Sequence, residues 1–133
     1  MSDSNPAATF GYVVTELDRI GIAYLHVVEP RIKGTEEIAE GKAPIAAQHL
    51  RPKFGRTLIA AGGFTAESAA TIVEAGDADL VAFGRHFVSN PDLPERIRRN
   101  LPLNRYDRST FYGGDGRGYI DYPTHADLVP VAL

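Results

Sequence analysis

The chain has 133 residues, 44% of them hydrophobic and 23% charged, with a formal net charge of −3 and no cysteine. That length suits one ordinary domain. The lack of cysteine excludes disulfides and thiolate metal sites, and the acidic balance gives no basic field for nucleic acid. No apolar run approaches the roughly 20 residues that span a membrane. The polar, acidic start Met1–Pro6 does not read as a secretory signal, and we expect a cytoplasmic protein.

The first predicted element is a helix. Asn5 is placed to cap it and Pro6 suits its first position. Phe10, Val13, Val14, Leu17 and Ile20 recur at helical spacing, and Gly21 is placed to end it. Residues 22–28 are a nearly continuous apolar run, as in a parallel strand covered on both faces, and Glu29-Pro30 stops it. Residues 29–43 read as a polar loop with one helical turn. Pro44 to about Phe54 reads as a second helix, with Ile45, Ala46, His49 and Leu50 on one side. A strand follows at 57–61. Thr65 caps a third helix with Ala69, Ile72 and Val73 facing inward and Gly76 at its end. Asp79 to Phe83 is the third strand. Asn90-Pro91 opens a fourth helix of about ten residues, with Leu93 and Ile97 four apart. Most of the cluster Arg96, Arg98 and Arg99 reads as a solvated face of that helix, near a C-terminus that favours cations. Residues 101–133, rich in proline, glycine and aromatic side chains, read as an extended tail laid over other structure.

Strands separated by helices imply parallel pairing through right-handed crossovers. The fold class expected is α/β, a partial (β/α)8 TIM barrel, since a whole one takes about 250 residues. We divide the chain into a barrel part, 1–100, and a tail, 101–133, that covers the barrel.

The second and third strands both run into glycine: Ala60-Ala61-Gly62-Gly63-Phe64 and Ala82-Phe83-Gly84-Arg85. Backbone N–H groups and the positive end of a short helix bind phosphate well, and close backbone approach is easiest without a Cβ. Arg85 adds a fixed charge with forked donors. Two consecutive barrel loops of this kind form a phosphate grip at the carboxyl ends of the strands. A tight turn at Gly62-Gly63 with an exposed Arg85 would use the same residues and need no ligand. His26, His49, His86 and His125 make no metal-ligand pattern, and His86 reads as a packing or solvent contact. Glu29 stands at a strand's carboxyl end, where barrel enzymes keep functional groups, and a structural role accounts for it as well. Asp77 and Asp79 read as turn residues. No Ser/His/Asp or paired-carboxylate constellation is present.

Longer strings narrow the choice: Ala60-Ala61-Gly62-Gly63-Phe64-Thr65, Val81-Ala82-Phe83-Gly84-Arg85-His86-Phe87-Val88-Ser89-Asn90-Pro91-Asp92-Leu93, Thr110-Phe111-Tyr112-Gly113-Gly114 and Gly118-Tyr119-Ile120-Asp121-Tyr122-Pro123. With Ala23-Tyr24-Leu25-His26-Val27-Val28-Glu29-Pro30, they make the chain resemble the Old Yellow Enzyme family, FMN-dependent NAD(P)H oxidoreductases that include N-ethylmaleimide reductase. The resemblance implies that the three strands are the sixth to eighth of the barrel. It implies that Gly62, Gly63, Gly84 and Arg85 bind the FMN phosphate, that Phe111 lies beside the flavin and that Tyr112 lines the substrate cavity. Aromatic packing of the tail would account for Phe111 and Tyr112 without a ligand. The implied reaction uses NAD(P)H to reduce FMN, which then reduces an activated alkene such as an enone, maleimide or nitro compound.

The family's substrate-binding His/His or His/Asn pair and its proton-donating tyrosine belong to an earlier part of the barrel, so no catalytic residue is assigned in this segment. We therefore expect a segment inactive alone. Three strands cannot close a barrel, and open edges invite pairing. The partner expected is a complementary N-terminal barrel segment, or self-association. The alternative is a non-catalytic remnant or a phosphate- or flavin-binding assembly module.

Overall fold

A computed structural model describes residues 3–30 and 45–128. The polar loop expected at 29–43 and the start of the second helix at Pro44 lie largely outside the described residues, as does the end of the tail. The chain divides into two compact units, Met1–Ala82 and Phe83–Leu133.

In the first unit, Pro6–Ile20 forms α1. Asn5 caps it, its side chain accepting from the Ala8 N–H at 3.2 Å, and Gly21 closes it at φ +85°, a conformation glycine adopts without a Cβ penalty. Strand β1 is Tyr24–Val28, two residues shorter at its start than the apolar run 22–28. The expected helix from 44 to 54 divides into α2, Ala46–Leu50, and a 3₁₀ turn, Arg51–Lys53. Pro52 explains the division, because it lacks the N–H that the next α-helical bond requires. Its inward residues are Ala47 and Leu50, whereas Ile45 and His49 are exposed.

Strand β2 is Thr57–Ala61, α3 is Ala66–Glu74 and β3 is Leu80–Ala82. Thr65 and Ser68 form a capping box: Ser68 N–H donates to Thr65 Oγ1 at 3.2 Å, and Thr65 N–H donates to Ser68 Oγ at 2.9 Å. The strands make a parallel sheet in the order β1-β2-β3, with Tyr24 opposite Thr57, Val28 opposite Ala61 and Ala61 opposite Ala82. Asp79 secures the start of β3. Its N–H donates to the Leu58 carbonyl at 2.9 Å, and its Oδ2 accepts from Leu58 N–H at 2.8 Å and from Arg51 at 2.7 Å. It is thus more than a turn residue.

Leu58 and Ala60 of the central strand are fully buried, with Val14, Leu50, Phe54, Phe64 and Ile72 around them. Much of the expected apolar pattern nevertheless faces outward. On α1 only Val14 of the periodic set is buried, while Phe10, Val13 and Ile20 are exposed, as are Tyr24 and Val28 on β1 and Val73 on α3.

The second unit contains α4, Arg85–Ser89, which sequence periodicity did not indicate, then α5, Leu93–Arg98, a 3₁₀ turn at Arg108–Thr110 and α6, His125–Leu128. The helix expected to open at Asn90-Pro91 begins three residues later and is shorter. Asn90 turns its side chain inward instead: its Oδ1 accepts from Asn104 N–H at 2.7 Å and its Nδ2 donates to the His86 carbonyl at 2.8 Å. Asn100, at φ +52°, ends α5 with the Leu101 N–H returned to the Arg96 carbonyl.

Arg96 is the exception in a cluster that is otherwise solvated. It is 1% exposed. Its Nε donates to Asp92 at 2.7 Å, its Nη1 to the Pro102 carbonyl at 2.6 Å and its Nη2 to the Pro123 carbonyl at 3.0 Å. Only Arg98 and Arg99 are solvated, each paired with Glu95. A buried guanidinium must have its donors satisfied, and the tail supplies carbonyls for that purpose. The centre of this unit is accordingly polar: Ser89, Asn90 and Arg96 are buried beside Leu93.

Candidate functional site

Strands β2 and β3 end side by side at the Ala61–Ala82 pair. The β2 end passes directly into Gly62 and Gly63, whose φ values are +104° and +68°. Two successive residues in that region turn the backbone in a way that other L-residues resist. Phe64, 3% exposed, then anchors the turn in the core of the first unit. The glycine pair is therefore a tight turn, as its geometry alone requires.

In the second unit, Gly84 precedes α4 with φ −90°, so its own backbone does not demand glycine. A Cβ built there would meet no protein atom within 4 Å. The position is exposed, and a side chain would occupy the open space beside the backbone. Arg85 follows, half-buried. Its Nη1 donates to the Tyr106 hydroxyl at 3.3 Å, and its guanidinium carbon stands 5.4 Å from the centre of the Tyr106 ring. Among the described residues no carboxylate pairs with it. An open glycine next to an uncompensated, tethered guanidinium is a donor set that fits a phosphate dianion.

Tyr106 continues into an aromatic series. His86 meets its ring edge-on with centres 5.8 Å apart, and Phe111 lies tilted against it at 5.7 Å. Phe111 in turn meets Tyr112 edge-on at 6.4 Å. His86 thus packs against an aromatic ring, one of the two roles, packing or solvent contact, expected for it. Tyr112 is 89% exposed and holds φ +59°, with its N–H donated to the Tyr119 hydroxyl at 2.7 Å. An exposed aromatic in the left-handed region is costly and is kept where surrounding structure imposes it. Within this unit, then, Arg85, Phe111 and Tyr112 belong to one contact series through Tyr106. No sequence signal marked Tyr106, because one tyrosine in an irregular tail looks like any other.

Glu29 does not face a ligand. It is 1% exposed, and its two oxygens accept from the N–H groups of Ile45, Ala46 and Ala47 at 2.8, 2.9 and 3.0 Å. A carboxylate at a helix N-terminus satisfies orphan donors and favours the positive end of the peptide dipoles. Its role is structural.

Comparison with known proteins bears on this arrangement. The pattern of the NADH:flavin oxidoreductase / NADH oxidase family matches residues 7–104. The chain belongs to that family. The family is one of FMN-dependent oxidoreductases, with NADH as reductant. The chain is 47% identical over 123 residues to 12-oxophytodienoate reductase 2 of Arabidopsis thaliana, covering 92% of this chain and 32% of that protein. Among solved structures, morphinone reductase in complex with tetrahydroNAD is 42% identical, with a TM-score of 0.77 over 92% of this chain and 31% of that one. The old yellow enzyme from Trypanosoma cruzi is 32% identical, with a TM-score of 0.80 over 94% of this chain and 32% of that one. The chain thus spans about a third of the length of the curated relatives it matches. It folds as part of an Old Yellow Enzyme α/β barrel. Among the described residues no helix is long and apolar enough to cross a membrane.

Proposed function

We propose that this chain is the flavin-phosphate and cavity-lining part of an FMN-dependent NAD(P)H oxidoreductase that reduces activated alkenes such as enones, maleimides or nitro compounds. One observation carries the reading: the match to flavin-family reductases runs through nearly the whole chain at 47% identity, including both glycine-ended strands. In this reading β1, β2 and β3 are the sixth to eighth barrel strands. Gly62 and Gly63 offer backbone at the end of one strand, and Gly84 keeps space open at the end of the next. Arg85 supplies the positive charge for the phosphate. Phe111 packs beside the flavin, and Tyr112 presents its exposed ring to the substrate cavity. When bound, FMN carries two electrons from NAD(P)H to the alkene, while the protein binds, orients and excludes water.

The segment carries no residue assigned to proton transfer, so activity requires the rest of the barrel, supplied by a complementary N-terminal segment. The exposed apolar faces of α1 and β1 support that requirement. Co-expression with such a segment is expected to give a yellow protein that oxidises NAD(P)H in the presence of an enone. If the assembled protein binds flavin but does not turn over, the chain is a flavin-binding module; if it takes up no flavin under any condition, the reading fails.

A further inference from the structure

Tyr106 touches both groups of residues to which the proposed function gives different work. On one side it meets Arg85 twice, through its hydroxyl at 3.3 Å and its ring face at 5.4 Å. On the other it meets Phe111 at 5.7 Å, and through Phe111 it reaches Tyr112. A carboxylate in its place would also hold Arg85 but would neutralise it. A phenol hydroxyl and a ring face hold a guanidinium and leave its full charge for a ligand. They also remove rotamer freedom that a flexible arginine would otherwise lose on binding.

We propose that Tyr106 is a positioning residue for the FMN phosphate: it pre-orients Arg85 without cancelling its charge and ties that arm to the Phe111–Tyr112 end of the site. This rests on the reading of Arg85 as the phosphate's cationic partner. The hydroxyl serves the phosphate end alone, so its removal affects a flavin with a phosphate and spares one without.

The test uses the full chain co-expressed with the complementary N-terminal barrel segment, and its Tyr106→Phe, Tyr106→Leu, Arg85→Met and Arg85→Met/Tyr106→Phe variants. Dissociation constants for FMN and for riboflavin are read from flavin fluorescence, with circular dichroism to check folding. The unsubstituted chain is expected to prefer FMN. Arg85→Met removes about tenfold or more of that preference, as for a charged hydrogen-bonding partner. Tyr106→Phe removes roughly threefold to tenfold with riboflavin affinity unchanged, because the hydroxyl acts on the phosphate only through Arg85. Tyr106→Leu, which also loses the ring, removes more. The double variant is no weaker than Arg85→Met, because Tyr106 acts through Arg85.

Tyr106→Phe retaining the full FMN preference while Arg85→Met loses it would overturn the inference and leave the phosphate reading standing. Additive losses, or equal losses for both flavins with disturbed folding, would overturn it too. An Arg85→Met variant that keeps the preference, or an unsubstituted chain that has none, would overturn the phosphate reading and the inference with it.

Discussion

Arg96 donates from Nη2 to the Pro123 carbonyl at 3.0 Å, joining α5 to a residue 27 positions downstream while being only 1% exposed. The same guanidinium holds Asp92 and Pro102. Removing it leaves Asp92 with only the His125 N–H, Pro123 with only the Asn104 side chain and the Pro102 carbonyl without this donor, and losing one member of a buried ion pair costs about 3–5 kcal/mol. Arg96→Met is therefore expected to release the tail. Limited proteolysis should cut within residues 101–123 at a rate well above that of the unsubstituted protein, and an unchanged cleavage rate would refute this account.

Glu29 is expected to be worth about 1–3 kcal/mol as a cap on α2, since it satisfies three N–H groups. Glu29→Gln keeps the shape but replaces one acceptor with a donor that faces an N–H. Urea unfolding should shift to lower midpoint, and the Ala46 and Ala47 amides should exchange faster. Amide exchange that stays slow in the variant would show that the helix does not depend on this carboxylate.

Two carboxylates predict an acid limb. The Leu58 N–H, with Arg51 beside it, holds Asp79 below its ordinary value of 3.8. Burial pushes Asp92 upward, but the His125 N–H and the Arg96 guanidinium outweigh it and keep it below 3.8 as well. Below that value the unfolded chain binds more protons than the folded one, so stability rises with pH there. The contribution is complete above about pH 3.8 and is lost as pH falls through the lower folded values. Chemical unfolding midpoints should fall at acid pH, and Asp79→Asn and Asp92→Asn should each flatten that fall. Variants with an equally steep limb would assign it elsewhere.

Gly118 has φ +77°, and a Cβ there would run into the Thr110 side chain. Gly118→Ala thus combines a backbone and a steric conflict, and a loss of about 2 kcal/mol or more is expected. Tyrosine near-ultraviolet dichroism should report the disturbed tail, because Tyr112 donates its N–H to Tyr119 beside this turn. A fully native spectrum and midpoint would contradict the packing described.

Phe10, Ile20, Tyr24 and Val28 are 56, 68, 57 and 60% exposed, and β1 has no neighbour on its outer side among the described residues. Open edges and apolar surface favour association. Light scattering should show a mass that grows with concentration, and co-expression with an N-terminal barrel segment should suppress that growth. A monomer that unfolds cooperatively would count against the prediction.

The sequence by itself determined what is decided within a few residues. The Asn5 cap, the Thr65–Ser68 capping box and the left-handed glycines 21, 62, 63 and 76 all sit where local chemistry placed them. Three apolar runs became three parallel strands for the same reason. The tertiary structure decided how distant polar groups are used. Glu29 caps a helix 16 to 18 residues away, Arg96 passes from the expected solvated cluster to the centre of a buried network, and Tyr106 gathers Arg85 across 21 residues. A charged or phenolic side chain carries the same local signal whether solvent or a distant backbone satisfies it. Only the folded chain, by removing water from one and bringing a partner to the other, separates the two.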